Sequence, residues 1–234
     1  MPGDNCAMTV RLALLGLASA ALAACSALPE QASQRRSGSV ASPSRAAAVP
    51  RSPEVGQCMA RLGQLGAQYA PVADRYVDQG CAILGTVQLA SLPSDGSSLG
   101  VTNLGPVTCE VSQAFTGWAR YGVDRAARQI LGSPVRSIET MGSFSCRNVA
   151  GTSRRSAHAT GAAIDVAGFV LEDGRRITVK AAWSGGSDRE RQFLRVVQES
   201  ACKRFGTVLG PEYNSAHHDH LHLEGVIDTK SYCR

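Results

Sequence analysis

The sequence predicts an α+β domain, a small antiparallel sheet flanked by helices and stapled by disulfides. Three observations point there. Apolar residues recur at helical spacing in two separated segments, Glu110 to Gly132 and Ser187 to Phe205. Short strand-like runs lie between and after them, and two of these are joined by the turn Glu172-Asp173-Gly174. Helices that precede and interrupt an antiparallel sheet in this way indicate α+β layering.

The bulk numbers bound the rest. A chain of 234 residues, 44% apolar and 18% charged, suits one compact domain with terminal appendages. Aromatic residues make up only 5%, so the core must rely on Val, Leu, Ile and Ala. A net charge of +5 suits an acidic surface such as anionic wall polymer or lipid headgroups. The basic residues are scattered and no Lys/Arg run is interleaved with aromatics, so nucleic-acid binding is not expected.

At the N-terminal end, Arg11 is followed by an uncharged apolar run from Leu12 to Ala24. It is too short to span a bilayer comfortably and has the length of a secretory h-region. The expectation is a signal peptide over residues 1–24, with Met8 a rival start to Met1. From Ser26 to about Pro53 the chain is Ala, Ser, Arg, Pro and Gln with almost no large apolar residue. Such a segment cannot bury enough surface to offset its ordering entropy, which predicts a flexible tether over 25–53 ahead of a folded domain over 55–234.

Within the domain, Val111, Phe115, Trp118 and Ala119 give the first helix its apolar face, with a break expected at Gly122 and an end at Gly132 before Pro134. Val135 to Met141 reads as a strand. Ala162 to Leu171 and Arg175 to Val179 read as a hairpin. Ser187 reads as the N-cap of a helix through Phe205, with Phe193, Leu194, Val197 and Ala201 inward. Phe205 to Leu209 and His218 to Glu224 read as two further strands. Trp118 and Trp183 are expected to pack rather than bind.

Cysteine usage fits an exported chain. Of eight cysteines, Cys6 leaves with the signal and Cys25 stands at its end. Cys58, Cys81, Cys109, Cys146, Cys202 and Cys233 remain, with no Cys-x-x-Cys pair to suggest a cysteine metal site. Disulfides among these are expected, and spacing alone does not choose their pairing.

The chemistry concentrates in histidines. Of five, four lie in Ala216-His217-His218-Asp219-His220-Leu221-His222. On a strand, His218, His220 and His222 would share a face, as metal binding or proton transfer would require. The fifth lies in Ser156-Ala157-His158-Ala159-Thr160-Gly161-Ala162-Ala163-Ile164-Asp165, the pattern Ser-x-His-x-x-Gly-x-Ala-x-Asp. Gly161 and Ala163 leave room for close chain approach, and a carboxylate between Ile164 and Val166 needs a partner that a divalent cation can supply. Two nitrogens and one oxygen suit a tetrahedral Zn2+ with one position left for water, whose pKa zinc can bring towards roughly 7. Other divalent metals bind such a set as well.

This pattern resembles the zinc metallopeptidases that include D-alanyl-D-alanine peptidases, murein endopeptidases of the MepA type and the hedgehog signalling domain. The resemblance implies that His158, Asp165 and His222 bind zinc, that His220 is a base or transition-state stabiliser, and that Arg147 polarises the scissile carbonyl, with Arg154 and Arg155 as rivals. Asp219, three residues before His222, is a rival base, and Glu224 would orient His222 or act as a base. A closer likeness covers Cys58 to the C-terminus. Ser143-Phe144-Ser145-Cys146-Arg147, Phe169-Val170-Leu171-Glu172-Asp173-Gly174-Arg175, Leu209-Gly210-Pro211-Glu212-Tyr213-Asn214 and Asp219-His220-Leu221-His222 resemble the bacterial extensin-like C-terminal family in order and content. Leu22-Ala23-Ala24-Cys25 resembles a lipobox, which implies lipidation at Cys25; two acyl chains suffice for stable anchoring where one is marginal. Ser26 resembles lipoproteins sorted to an outer membrane. The expected function is hydrolysis of peptidoglycan peptides in the bacterial cell envelope, facing the periplasm. The alternative is a non-catalytic, zinc-stabilised module that binds or scaffolds the wall.

Overall fold

The computed structural model describes residues 51–234, so the expected signal segment, Cys25 and most of the tether lie outside the described residues. The first helix, α1 (Pro53–Gln64), starts at a Ser52 cap, with Pro53 at a position that needs no backbone donor. Six short strands follow: β1 (Gln68–Pro71), β2 (Arg75–Asp78), β3 (Cys81–Ile83), β4 (Thr86–Pro93), β5 (Ser98–Thr102) and β6 (Val107–Thr108). None of these first seven elements is among those expected from periodicity. Then come α2 (Cys109–Trp118), β7 (Val135–Gly142), β8 (Ala163–Leu171), β9 (Arg176–Thr178), α3 (Val179–Gly185) and α4 (Asp188–Cys202). The chain closes with β10 (Thr207–Leu209), β11 (Leu221–Glu224) and β12 (Tyr232–Cys233).

The sheet is larger than expected and it is mixed. Ten strands join in the order β1-β4-β5-β7-β8-β11-β10-β12, with β6 on β4 and β9 on β8, while β2 and β3 form a separate hairpin. Most pairs are antiparallel, but β5 with β7 and β10 with β12 run parallel. The β8–β9 hairpin forms as its turn predicts, with Phe169 opposite Ile177. Ser187 caps α4 in a reciprocal capping box with Glu190, and α4 ends at Cys202, short of the expected Phe205.

Gly122 does not break the second helix. Beyond α2 the helix widens into π-turns over Ala119–Asp124 and Ala127–Leu131 and ends at Gly132, whose φ of 75° is left-handed. A Cβ on Gly122 would run into the Ser200 side chain of α4, so this glycine serves close helix packing. The π-turns carry Asp124, whose carboxylate is fully buried. It accepts from Ser94 Oγ at 2.7 Å, Arg128 Nε at 2.9 Å and the Val135 backbone N–H at 2.9 Å. One side chain thus ties the helix to the end of β4 and the start of β7.

The core is aromatic at its centre despite the low aromatic content. Trp118 packs on Phe115, Phe169 and Phe205 at centroid distances of 5.6, 6.2 and 6.4 Å, and its indole N–H donates to Val197 O at 3.0 Å. Trp183 is buried beneath the Arg195 guanidinium at 3.7 Å. The six domain cysteines pair as Cys58–Cys109, Cys81–Cys146 and Cys202–Cys233. The first joins α1 to α2, the second joins β3 to the loop after β7, and the third joins α4 to β12. Among the described residues no helix is long and apolar enough to cross a membrane.

Candidate metal centre

Strand alternation builds the site. Ile164 and Val166 of β8, and Leu221 and Leu223 of β11, are fully buried in the core. The residues between them, Asp165 and His222, therefore face the other side of the sheet. They are direct register partners, which sets the two side chains next to each other. Asp165 is thus flanked by Ile164 and Val166 in sequence but not in space. His158 arrives from the loop after β7, on a 3-10 turn over Ala157–Thr160. Ser156 caps that turn, its Oγ accepting from His158 N at 3.4 Å, and Gly161 ends it with φ 65°. A Cβ on Gly161 would lie 2.8 Å from the Pro106 carbonyl oxygen, so the close approach inferred from the motif is present.

His158, Asp165 and His222 each offer a ligand atom, all within 4.8 Å of one another. His158 Nε2 is 3.2 Å from His222 Nδ1 and 3.2 Å from Asp165 Oδ2, and His222 Nδ1 is 2.9 Å from Asp165 Oδ1. Tetrahedral bonds of zinc length separate neighbouring ligand atoms by about 3.3 Å, so this set is close to the spacing that the ion requires.

The outer hydrogen bonds sharpen the fit. His158 Nδ1 lies 3.0 Å from the Ser143 carbonyl, which can only accept, so Nδ1 carries the proton and Nε2 presents a lone pair. His222 Nε2 lies 3.1 Å from Glu224 Oε2, so its N–H donates there and Nδ1 presents a lone pair. With a metal bound, these two lone pairs and a carboxylate oxygen would converge on one point; without one, protons on the same nitrogens bridge to Asp165. Burial would lower the His222 pKa, but hydrogen bonds to Asp165 and Glu224 outweigh it and lift it to about 9. Burial would raise Asp165, but hydrogen bonds from His158 and His222 outweigh it and hold the carboxyl well below the usual range. Metal binding would have to displace the proton on His222 Nδ1, so uptake would strengthen as pH rises.

The remaining candidates divide. His220 is buried, its Nδ1 is 2.9 Å from Asp219 Oδ1, and its Nε2 reaches 3.6 Å from Asp165 Oδ1 at the edge of the ligand set. Asp219, accepting from His220, stands behind that ring. The expected strand from His218 does not form, because Asn214 caps a 3-10 turn over Ser215–His217 and β11 begins only at Leu221. His218 is consequently exposed, with Nδ1 on Ser215 O at 2.8 Å, and does not join the others. His217 lies against His220 and His222 at centroid distances of 5.1 and 5.8 Å. Its pKa falls to about 4, mainly through burial and then through the charges of His220 and His222.

Arg147 and Arg154 are exposed and line the same open cleft as Asp165, His220 and His222. Arg155 is instead tied to Gln79 O and Asn148 Oδ1 and to the β2–β3 hairpin. Sequence reasoning left His217 aside. Its Asn214 anchor, Oδ1 at 2.7 Å from Nδ1, carried no signal visible in the sequence. Glu224, expected to orient His222 or act as a base, stands two along β11 on the same face, with Oε2 3.1 Å from His222 Nε2.

A family model described as extensin-like protein C-terminus matches residues 56–234. No curated protein and no solved structure matches the chain. Because the match runs from within α1 to Arg234, well over half of the chain, the chain belongs to the extensin-like protein C-terminus family.

Proposed function

We propose that the protein is a zinc-dependent hydrolase of peptidoglycan peptides, related in its site to murein endopeptidases of the MepA type and held at the cell envelope by a lipid on Cys25. One observation carries this reading: His220 Nε2 stands beside a three-ligand cluster, with its Nδ1 held by Asp219. A site that only held metal for stability would need neither group. His158, Asp165 and His222 would hold the ion, which supplies Lewis-acid polarisation and an acidified water.

The chain's own residues supply the rest. Asp219 fixes the His220 ring with Nε2 turned to the ligand set, where it would take up a proton and return it to the leaving amine. Asp219 acts through His220 rather than as a separate base. Arg147, on the wall of the same cleft, would meet a carbonyl oxygen as negative charge develops on it. The open cleft suits a chain-like substrate better than an enclosed small molecule. The exported setting rests on the apolar run Leu12 to Ala24 and on Cys25.

The test is incubation of the purified protein with peptidoglycan, followed by mass spectrometry of released fragments. New peptide termini that vanish in His220→Ala, while that variant keeps its zinc, support the hydrolase. Bound zinc with no new termini would move the assignment to the non-catalytic wall-binding module.

A further inference from the structure

We infer that Glu224 is a positioning residue for the metal centre, acting through His222 by fixing which ring nitrogen faces the ligand set. The inference rests on the proposed metal site and extends it. Glu224 is the last residue of β11, two along from His222 and on the same face. Its Oε2 is 3.1 Å from His222 Nε2, while Nδ1 of the same ring faces Asp165 at 2.9 Å and His158 at 3.2 Å.

An imidazole that binds metal through one nitrogen must protonate the other, and each tautomer presents its lone pair from a different edge of the ring. With Glu224 accepting at Nε2, the Nδ1 lone pair is the one turned to the metal. His158 is oriented the other way round, its Nδ1 on the Ser143 carbonyl and Nε2 inward. The two histidines therefore bind through different nitrogens, one backed by a neutral carbonyl and one by a carboxylate. The carboxylate is the stronger acceptor and so holds the His222 ring in its tautomer more firmly than a carbonyl would. Glu224 is half-buried, so its charge is only partly screened by solvent.

The experiment is zinc competition against a fluorescent chelator with the purified protein, Glu224→Ala and Glu224→Gln, each checked for unchanged circular dichroism. Glu224→Ala is expected to weaken zinc binding about 10- to 100-fold, and Glu224→Gln, which keeps an acceptor oxygen, to recover most of that loss. Long-range proton–nitrogen spectra of the zinc-loaded protein should show His222 metal-bound at Nδ1 and protonated at Nε2. Zinc affinity unchanged in Glu224→Ala would overturn the inference, as would His222 bound through Nε2, or a Gln variant as weak as the Ala variant. A wild-type protein that takes up no zinc would overturn the metal site itself, and Glu224's role with it.

Discussion

At the residue scale, the five groups about the candidate metal divide into three ligands and two workers, and substitutions should separate them. His158→Ala or Asp165→Ala removes one of three ligands, and zinc should be lost on dialysis, as elemental analysis would read. His220→Ala should keep zinc and lower hydrolysis by about 100-fold or more, the usual weight of a general acid–base group. Asp219→Asn should lower turnover with little change in zinc content, because Asp219 touches His220 and not the ligand set. Equal zinc loss in His220→Ala and Asp165→Ala would contradict that division. Much of this site was legible in the sequence, because the Ser-x-His-x-x-Gly-x-Ala-x-Asp stretch and the histidine run are dense and local. What was not legible was the route of His217 and His218. The Asn214 cap folds them into a 3-10 turn, and no alternation rule foresees a side-chain cap.

At the element scale, Asp124 links three elements through its buried carboxylate. Asp124→Ala leaves the Val135 N–H and the Arg128 guanidinium without their acceptor and should cost about 3–5 kcal/mol in urea unfolding. Burial would raise this carboxyl, but hydrogen bonds from Ser94, Arg128 and the Val135 N–H outweigh it and hold its pKa below the ordinary 3.8. A depressed folded-state pKa contributes stability that is present above the unfolded value and lost as pH falls through the folded one. The wild type should therefore lose stability below about pH 4 more steeply than Asp124→Asn. Parallel acid slopes in the two proteins would argue against this account. Gly122→Ala should destabilise by about 1–3 kcal/mol through overpacking against α4, where a helix-propensity argument alone predicts a gain.

The elements read best from sequence were those with strong local signals: the β8–β9 hairpin with its Asp173-Gly174 turn, and α4 with its Ser187 and Glu190 box. The strands β1 and β2 gave none. Residues of β2 are exposed throughout and those of β1 nearly so, so no alternation marks them. The place of β1 is set by pairing with β4, and that of the β2–β3 hairpin by Cys81 bonding to Cys146.

At the scale of the whole molecule, the disulfides do more than staple the ends. Cys146 lies in the loop that also carries Arg147 and, through Ser143 O, the backing of His158. Ser145 N–H donates to His158 O at 3.0 Å, so this loop and the ligand turn form one unit. Removing the Cys81–Cys146 bond by paired serine substitution should cost about 2–5 kcal/mol and weaken zinc binding as well. Removing Cys58–Cys109, which joins α1 to α2 and does not fasten the Cys146 loop, should cost similar stability and leave zinc affinity unchanged. Zinc affinity equally affected by both would mean that the loop is not specially coupled to the site. The parallel pairs β5–β7 and β10–β12 were not foreseen, since each joins segments whose pairing only the folded topology decides.

The central claim is that His158, Asp165 and His222 together hold one divalent ion. Elemental analysis of the purified protein and of Asp165→Ala, prepared side by side in metal-replete medium, tests it most directly. One equivalent of zinc in the wild type and none in the variant is the predicted result. A metal-free wild type, or a variant that keeps its full equivalent, would contradict it.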